Sequence, residues 1–357
     1  MPETANSTPR RRQWGWLVVL GGMLSILVAA VVWWSWTERH PERERELRIQ
    51  VRDFLEEHFP EQMALPDELQ GWVPRSEVFP ADRPAEVILL HGLDEPGGIW
   101  DELVPPLDEA GFNAWEFRYP NDQAIDRSAD LLAEHWTDLD PNHPVVLIGH
   151  SMGGLVIRDF VTRHLQPAET EPTVTEPPVR AVIQVATPNQ GSEWARLRAW
   201  LELREWVADI QAERFSLFAG LRDGTGAAKI DLRPDSRFLA DLNARDWPED
   251  IPIRIIGGQL SEPTPGMIAG VEALAGELDT PELAEDIERW WSQLGEDLGD
   301  GAVSVESLHL PEAPPPVVVP ASHRGLLITL PMSEGEPPAI DIIVAWLEEF
   351  LDQKVSE

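Results

Sequence analysis

A serine flanked by two glycines stands at the end of an apolar run of the chain. Residues 149–153, which we call the elbow, have the sequence Gly-His-Ser-Met-Gly and follow the apolar residues Val145–Ile148. This order predicts a strand, a sharp turn and a helix, with Ser151 presented at the apex of the turn as a nucleophile. The N–H of Met152, at the start of the predicted helix, can stabilise an oxyanion. The alternative is a glycine-rich turn that carries no chemistry.

A second apolar run, Val87–Leu90, ends in a His-Gly pair. A loop that follows an early strand in this way can bring a second backbone N–H to the same oxyanion, and we assign this donor to Leu93. His91, Gly92 and His150 are predicted to contact the substrate. For His91 the sequence favours a structural histidine, hydrogen-bonded within the loop, over a general base, because His91 precedes the serine.

An acid and then a histidine are expected after the serine, each beyond the end of a strand. Asp300 lies in the turn-like sequence Gly-Asp-Gly-Ala-Val, and Asp297 is its direct competitor. His323 follows the apolar run Val317–Val319 and is the predicted base. The other histidines considered precede the acid or follow it too closely: His135, His143, His164 and His309.

The chemistry predicted for these residues is acyl transfer. His323 takes the proton of Ser151 as a carbonyl is attacked, and Asp300 fixes the tautomer of the imidazole. The N–H groups of Leu93 and Met152 stabilise the oxyanion, a contribution of about 3–4 kcal/mol per donor. This chemistry needs no cofactor. No metal site is predicted, because the chain has no cysteine and no dense set of oxygen ligands.

These motifs together resemble the α/β-hydrolase superfamily, and Gly-His-Ser-Met-Gly-Gly-Leu-Val is similar to its lipase-like members. Residues 182–192 resemble the strand and Thr-Pro-His-x-Gly-Ser loop of bacterial triacylglycerol lipases and of GPI inositol deacylase-like hydrolases, with Asn189 in place of the usual histidine. The resemblance covers about residues 85–350. It implies an α/β fold, with a mainly parallel central sheet flanked by helices, and the catalytic machinery described above.

The pattern of apolar runs also predicts alternating strands and helices, as in a parallel sheet. Residues 60–84, interrupted by prolines, are predicted as a loop, and helices are predicted over Glu42–Phe59 and Asp341–Leu351. The predicted strands are Val87–Leu90, Asn113–Phe117, Val145–Ile148, Val179–Val185, Ile251–Ile256 and Val317–Val319.

Two insertions, residues 193–247 and 261–298, are predicted as helical caps over the site. The first has aromatic and aliphatic residues at helical spacing, among them Trp200 and Trp206, which are predicted to bind the substrate. The alternative for such a stripe is core packing rather than an acyl-chain-binding cap.

The N-terminus predicts a membrane anchor. Residues 14–36 form a run of 23 residues without a charge, long enough to cross a hydrocarbon core of about 30 Å as a helix. Arginines at 10–12 favour a cytoplasmic tail over residues 1–13, although later arginines from 39 to 48 favour the reverse. Residues 37–84 would then be a juxtamembrane helix and linker, and 85–357 an extracytoplasmic catalytic domain. The alternative, a cleaved signal peptide, also places the enzyme outside the cytoplasm.

The charge of the chain excludes one class of partner. With 63 acidic and 28 basic residues, the formal net charge is -35, so the surface repels nucleic acid and anionic headgroups. The sequence therefore predicts a membrane-anchored serine hydrolase, lipase or esterase, that acts on carboxylic esters, with lipid-like substrates favoured. Two alternatives remain: an acyltransferase that uses the same residues, and a non-catalytic binding module. The oligomeric state and the acyl-chain length are left open.

Overall fold

The computed structural model describes residues 32, 33, 35–37, 39–66, 70–93, 97–120, 122–193, 225–260, 299–330 and 335–352. The chain divides into two units, Met1–Leu47 and Arg48–Glu357, and the division falls inside the helix Pro41–His58. Within these ranges no helix is both long and apolar enough to cross a membrane. Most of the predicted span over 14–36, and all of 1–13, lies outside the described residues.

From residue 87 onward, helices lie between most of the successive strands of the described chain. The α-helices are α1 Pro41–His58, α2 Pro60–Met63, α3 Val104–Glu109, α4 Ile125–Trp136, α5 Met152–Phe160, α6 Ala227–Asp231, α7 Arg237–Asn243 and α8 Ala339–Asp352. The strands are β1 Gly71–Pro74, β2 Val87–Leu90, β3 Ala114–Arg118, β4 Val145–His150, β5 Val179–Val185, β6 Ile253–Gln259 and β7 Val317–Pro320.

The seven strands form one sheet in the order β1-β3-β2-β4-β5-β6-β7. β1 pairs with β3 antiparallel, and the other neighbouring strands pair parallel. The predicted α/β-hydrolase fold with a mainly parallel sheet is thus confirmed. In a parallel sheet the carboxyl ends of the strands share one edge, so the loops that leave β2, β4, β6 and β7 open on the same side.

Alternate residues of the central strands pack against different helical layers, as the period of a strand requires. Ile88 and Leu90 of β2 belong to one apolar cluster, and Val87 and Leu89 belong to another. The first cluster also contains side chains of α4 and α5, whereas the second contains those of α3 and α8. Both faces of β2 are therefore covered, which explains why its four residues are all apolar and all buried.

The prediction of a loop over residues 60–84 is wrong at Pro60–Met63 and Gly71–Pro74, which form α2 and β1. Four residues are too few for a sequence period, and Pro74 argued against a strand. β1 lies at the edge of the sheet, where a proline is tolerated because one side of the strand has no hydrogen-bonding neighbour.

The first predicted cap is described in part, and the second lies outside the described residues. The first is described over residues 225–247, which contain α6 and α7. Residues 194–224, with Trp200 and Trp206, and residues 261–298, with Asp297, lie outside the described residues.

Candidate active site

Ser151 lies at the turn between β4 and α5, with φ 53° and ψ -123°. Its backbone N–H donates to the carbonyl of Val185 in the neighbouring strand β5, at 2.8 Å. A left-handed conformation is uncommon for a residue with a Cβ, so the surrounding structure must hold the serine there. A Cβ at Gly149 would lie 2.5 Å from the backbone N of Gly154. The glycine is therefore required for β4 and α5 to pass so closely.

The loop after β2 contacts the elbow. A Cβ at Gly153 would overlap the carbonyl oxygen of Leu90 and lie 2.7 Å from that of His91. His91 is buried, and its Nδ1–H donates to the carbonyl of Gly92 at 2.9 Å. Leu93 of the same loop and Met152, the first residue of α5, are both buried and belong to one apolar cluster. The two backbone segments predicted to form the oxyanion hole thus lie against each other.

His323 and Asp300 are in direct contact. The Nδ1 of His323 lies 2.8 Å from Oδ2 of Asp300, and the backbone N–H of His323 donates to the carbonyl of Asp300 at 2.9 Å. The Asp300 carboxylate is 1% exposed, and the imidazole is 18% exposed. The buried carboxylate of Asp300 therefore orients an imidazole that still reaches the surface.

The second carboxylate oxygen of Asp300 is held by its own loop. Oδ1 accepts hydrogen bonds from the N–H groups of Ala302, at 2.9 Å, and Val303, at 2.7 Å. The turn depends on Gly299 and Gly301, whose φ angles are 55° and 93°. These contacts satisfy a carboxylate that would otherwise be buried without partners.

Gly258 of β6 lets the acid and base loops approach the sheet. A Cβ there would lie 2.5 Å from the carbonyl oxygen of Ala321 and 2.9 Å from Cβ of Asp300. Ala321 stands two residues before His323, so both loops pass over this one position. Gly258 is not among the residues predicted from the sequence, where its signal is a Gly-Gly pair at the end of an apolar strand.

His150 joins the elbow to the loop of His323. Its ring is fully buried, its Nε2–H donates to the carbonyl of His323 at 3.2 Å, and the two rings lie 4.8 Å apart. His150 also packs edge-on against Trp100, 6.5 Å away. Because His150 immediately precedes Ser151, this contact links the loop of His323 to the elbow.

Asn189 ties the Thr-Pro loop to the neighbouring elements. Its Nδ2 donates to Oε1 of Gln184 at 2.8 Å and to the carbonyl of Leu308 at 2.9 Å, and its Oδ1 accepts from Arg158 at 3.2 Å. Burial lowers the pKa of Arg158 to about 10, so the guanidinium stays charged at neutral pH. Asn189 therefore joins β5, α5 and the segment around Leu308.

The histidines that were set aside lie next to other groups. Their acidic neighbours are at 3.0–3.1 Å, in the pairs His135–Asp138, His143–Asp140 and His164–Asp130. His309 follows the short 3-10 helix Glu306–Leu308. Within the described ranges no three His, Asp or Glu side chains are grouped to hold a metal ion.

A cavity of about 520 Å³ opens between the C-terminal half of α1 and α4. Arg52, Arg127 and Leu131 are among its lining residues, and Ser151, Asp300 and His323 are not. This cavity is therefore not a guide to the chemistry here, and the site is defined by the geometry of the loops at the carboxyl edge of the sheet.

The solved structures that the chain resembles include three hydrolases of low identity. The chain resembles the mature lipase BlEst2 from Bacillus licheniformis, with 15% identity over 77% of this chain and 97% of that one and a TM-score of 0.49. It resembles lipase 1 from Pelosinus fermentans, with 14% identity over 77% of this chain and 100% of that one and a TM-score of 0.49. It also resembles the metagenomic carboxyl esterase MGS0156, with 16% identity over 84% of this chain and 90% of that one and a TM-score of 0.47. The comparison with curated proteins gave no match.

The family comparison covers the described sheet from β2 to the segment after β7. Residues 87–334 match the alpha/beta hydrolase family. The matched part is more than half of the chain, and it contains the elbow, the His-Gly loop and the loops of Asp300 and His323. The chain therefore belongs to the alpha/beta hydrolase family.

Proposed function

We propose that the protein is a serine hydrolase that cleaves carboxylic esters, with Ser151 as nucleophile, His323 as general base and Asp300 as the acid that orients the base. The observation that carries this proposal is the 2.8 Å contact between Nδ1 of His323 and Oδ2 of a buried Asp300. The contact of His150 with the carbonyl of His323 brings the loop of the base to the elbow. A nucleophile, a base and an orienting acid are the three parts that this chemistry requires.

In the first step the geometry commits Nδ1 of His323 to the carboxylate. Asp300 accepts the Nδ1–H, so the lone pair of the imidazole is on Nε2, which takes the proton from the Ser151 hydroxyl as the serine attacks the ester carbonyl. The carboxylate then stabilises the imidazolium. Nε2–H returns the proton to the leaving alcohol, and the acyl group remains on Ser151.

The negative charge of the tetrahedral intermediate falls on the carbonyl oxygen of the substrate. The N–H of Met152 belongs to the first turn of α5, where N–H groups have no partner inside the helix. The N–H of Leu93 is the proposed second donor, from the loop that packs against Gly153. In the second step water attacks the acyl-enzyme, with His323 as base once more.

The proposed substrates are lipid-like esters. Two features of the sequence support this: the apolar run of residues 14–36, proposed to anchor the catalytic unit on the extracytoplasmic side, and the tryptophans at 200 and 206 of the proposed cap. Carbonate extraction of membranes that contain the full chain tests the anchor. The full chain should stay in the pellet, and Leu24→Arg, at the centre of the run, should lower the retained fraction.

The activity is tested with p-nitrophenyl esters from acetate to palmitate, using the full chain in detergent. Turnover should rise toward long chains and be lost in Ser151→Ala, whereas Ser76→Ala, a serine of the loop after β1, should retain it. A short-chain optimum would support an esterase but contradict the lipid-like substrate. No turnover that depends on Ser151, and no labelling of Ser151 by an organophosphonate, would overturn the proposal in favour of a binding module. Transfer to an added alcohol without hydrolysis would instead identify an acyltransferase.

A further inference from the structure

Tyr119 is the only tyrosine of the chain, and it lies directly after β3 at the carboxyl edge of the sheet. It is 3% exposed. Its ring stacks on that of His91, with the centroids 4.4 Å apart and 8° between the planes. Its hydroxyl donates to the carbonyl oxygen of His91 at 2.5 Å. The phenol thus holds both the side chain and the backbone of one residue of the loop after β2.

His91, which Tyr119 holds in place, in turn fixes the peptide between Gly92 and Leu93. Its Nδ1–H donates to the carbonyl oxygen of Gly92 at 2.9 Å. That carbonyl and the N–H of Leu93 belong to the same peptide unit, which is planar, and in a trans peptide the two groups point in opposite directions. Fixing the carbonyl of Gly92 therefore fixes the direction of the Leu93 N–H, the proposed oxyanion donor.

The elbow packs against the other side of this loop. A Cβ at Gly153 would lie 2.7 Å from the same His91 carbonyl that accepts the phenol. The loop is thus held between Tyr119 and the residues that follow Ser151, so a rotation of the loop would change how the Leu93 N–H faces the serine.

We propose that Tyr119 is a positioning residue of the oxyanion hole, which acts through His91 on the Gly92–Leu93 peptide. This inference rests on the proposed serine chemistry. Removal of an oxyanion donor itself lowers kcat by about 10²–10³-fold, so a residue that only orients the donor has a smaller effect.

Tyr119→Phe is the first test, because it removes the hydroxyl and keeps the stacked ring. We expect kcat on a p-nitrophenyl ester to fall on the order of tenfold with KM changed by less than about twofold, since the donor acts mainly in the transition state. Thr162→Val is the matched control. It also removes a buried hydroxyl that donates to a backbone carbonyl, that of Arg158 at 2.7 Å. This hydroxyl accepts from Arg245 at 3.0 Å and lies just beyond the C-terminal end of α5.

A double-mutant cycle with His91→Ala tests the route of the effect. If the phenol acts through His91, the two substitutions together lower kcat by little more than His91→Ala alone. Independent, multiplicative losses would overturn the proposed route. The melting temperature of each variant, measured beside the kinetics, separates lost positioning from lost folding.

The single tyrosine also provides a spectroscopic readout. The full chain labelled with 3-fluorotyrosine has one ¹⁹F resonance, and we expect it to shift when an organophosphonate reacts with Ser151 and places an oxygen in the oxyanion hole. The shift should be absent in Ser151→Ala and reduced in His91→Ala. An unshifted resonance in fully phosphonylated protein, or an unchanged kcat in Tyr119→Phe, would overturn the inference. Absence of phosphonylation in the wild type would overturn the proposed function instead.

Discussion

The side chain that precedes the proposed nucleophile holds the backbone of the proposed base: Nε2 of His150 lies 3.2 Å from the carbonyl oxygen of His323. Since a carbonyl only accepts, His150 must carry its proton on Nε2 in this contact. The bond crosses from the end of β4 to the loop after β7, two strands that are not neighbours in the sheet. This bond therefore links the residue next to Ser151 directly to the backbone of His323, although β5 and β6 lie between their strands in the sheet.

Replacement of His150 tests this link. His150→Leu removes the donor, so we expect kcat to fall on the order of tenfold, the equivalent of one hydrogen bond of about 1.4 kcal/mol. His150→Gln retains a side-chain N–H and should recover part of the loss. Steady-state kinetics on a p-nitrophenyl ester measures both, and equal rates in all three proteins would contradict the positioning role.

Replacement of the acid distinguishes Asp300 from Asp297. In Asp300→Asn the amide oxygen can keep accepting from Ala302 and Val303, which leaves the NH₂ group facing Nδ1 of His323. The proton of the imidazole is then forced onto Nε2, which can no longer act as a base, and we expect kcat to fall by about 10³–10⁴-fold. Asp297→Asn should stay close to the wild type. The opposite order of the two variants would show that the acid was misassigned.

Gly258→Ala tests the close approach of the loops that carry Asp300 and His323. Its Cβ would meet the carbonyl of Ala321 at 2.5 Å and Cβ of Asp300 at 2.9 Å, so both loops must shift. Because misplacement by about 1 Å lowers rates on the order of a hundredfold, we expect a loss of that size in kcat/KM. Gly98→Ala is the matched control, since its Cβ would meet only Oδ2 of Asp101 at 3.9 Å. Full activity of Gly258→Ala would contradict this account.

Asn189→Ala should destabilise the fold. The substitution removes the partner of Gln184 and Arg158 and leaves the buried carbonyl of Leu308 without this donor. We expect the free energy of unfolding to fall by about 2–3 kcal/mol. Urea unfolding measures the change, with the exposed Asn142→Ala as control. Equal midpoints for the two variants would be inconsistent with a buried network around Asn189.

Asp130→Asn should reduce stability at neutral pH and not in acid. Burial acts to raise the pKa of Asp130. The hydrogen bond from His164 and the charge of Arg163 together lower the pKa by a larger amount, so the folded pKa lies below its ordinary value. A depressed pKa stabilises the fold above the unfolded pKa of about 3.9, and this stability is lost as pH falls through the folded pKa. The melting temperatures of wild type and variant should therefore begin to converge below about pH 4 and coincide once the pH is below the folded pKa. A difference that persists there would falsify the assignment.

The fold class could be predicted because the buried strands are recognisable in the sequence. Val87–Leu90 and Val145–Ile148 are continuous apolar runs, as expected for strands covered on both faces. β1 could not be predicted, because its four residues lie at an edge, have no clear period and end in a proline.

The candidate site could be predicted less completely than the fold. Turn chemistry and chain order selected Asp300 and His323, but Asp297 remained a competitor, because a sequence gives no distance between loops. Tyr119 carried no motif, and its role appears only when β3 is placed beside β2 and its ring is seen against His91. The anchor over 14–36 and the contacts of Trp200 and Trp206 stay predictions.

Ser151 and Ala186, which lie at the ends of neighbouring strands, both have a positive φ. Ala186 also has φ 53°, its N–H donates to Ile256 of β6, and Ser151 donates to Val185 just before it. Two strained residues therefore stand side by side where β4 and β5 end, each held by a hydrogen bond to the next strand. Neither conformation persists once these strands separate. The reactivity proposed for the Ser151 hydroxyl therefore depends on the pairing of these strands, and we expect both to be lost together as the denaturant concentration rises.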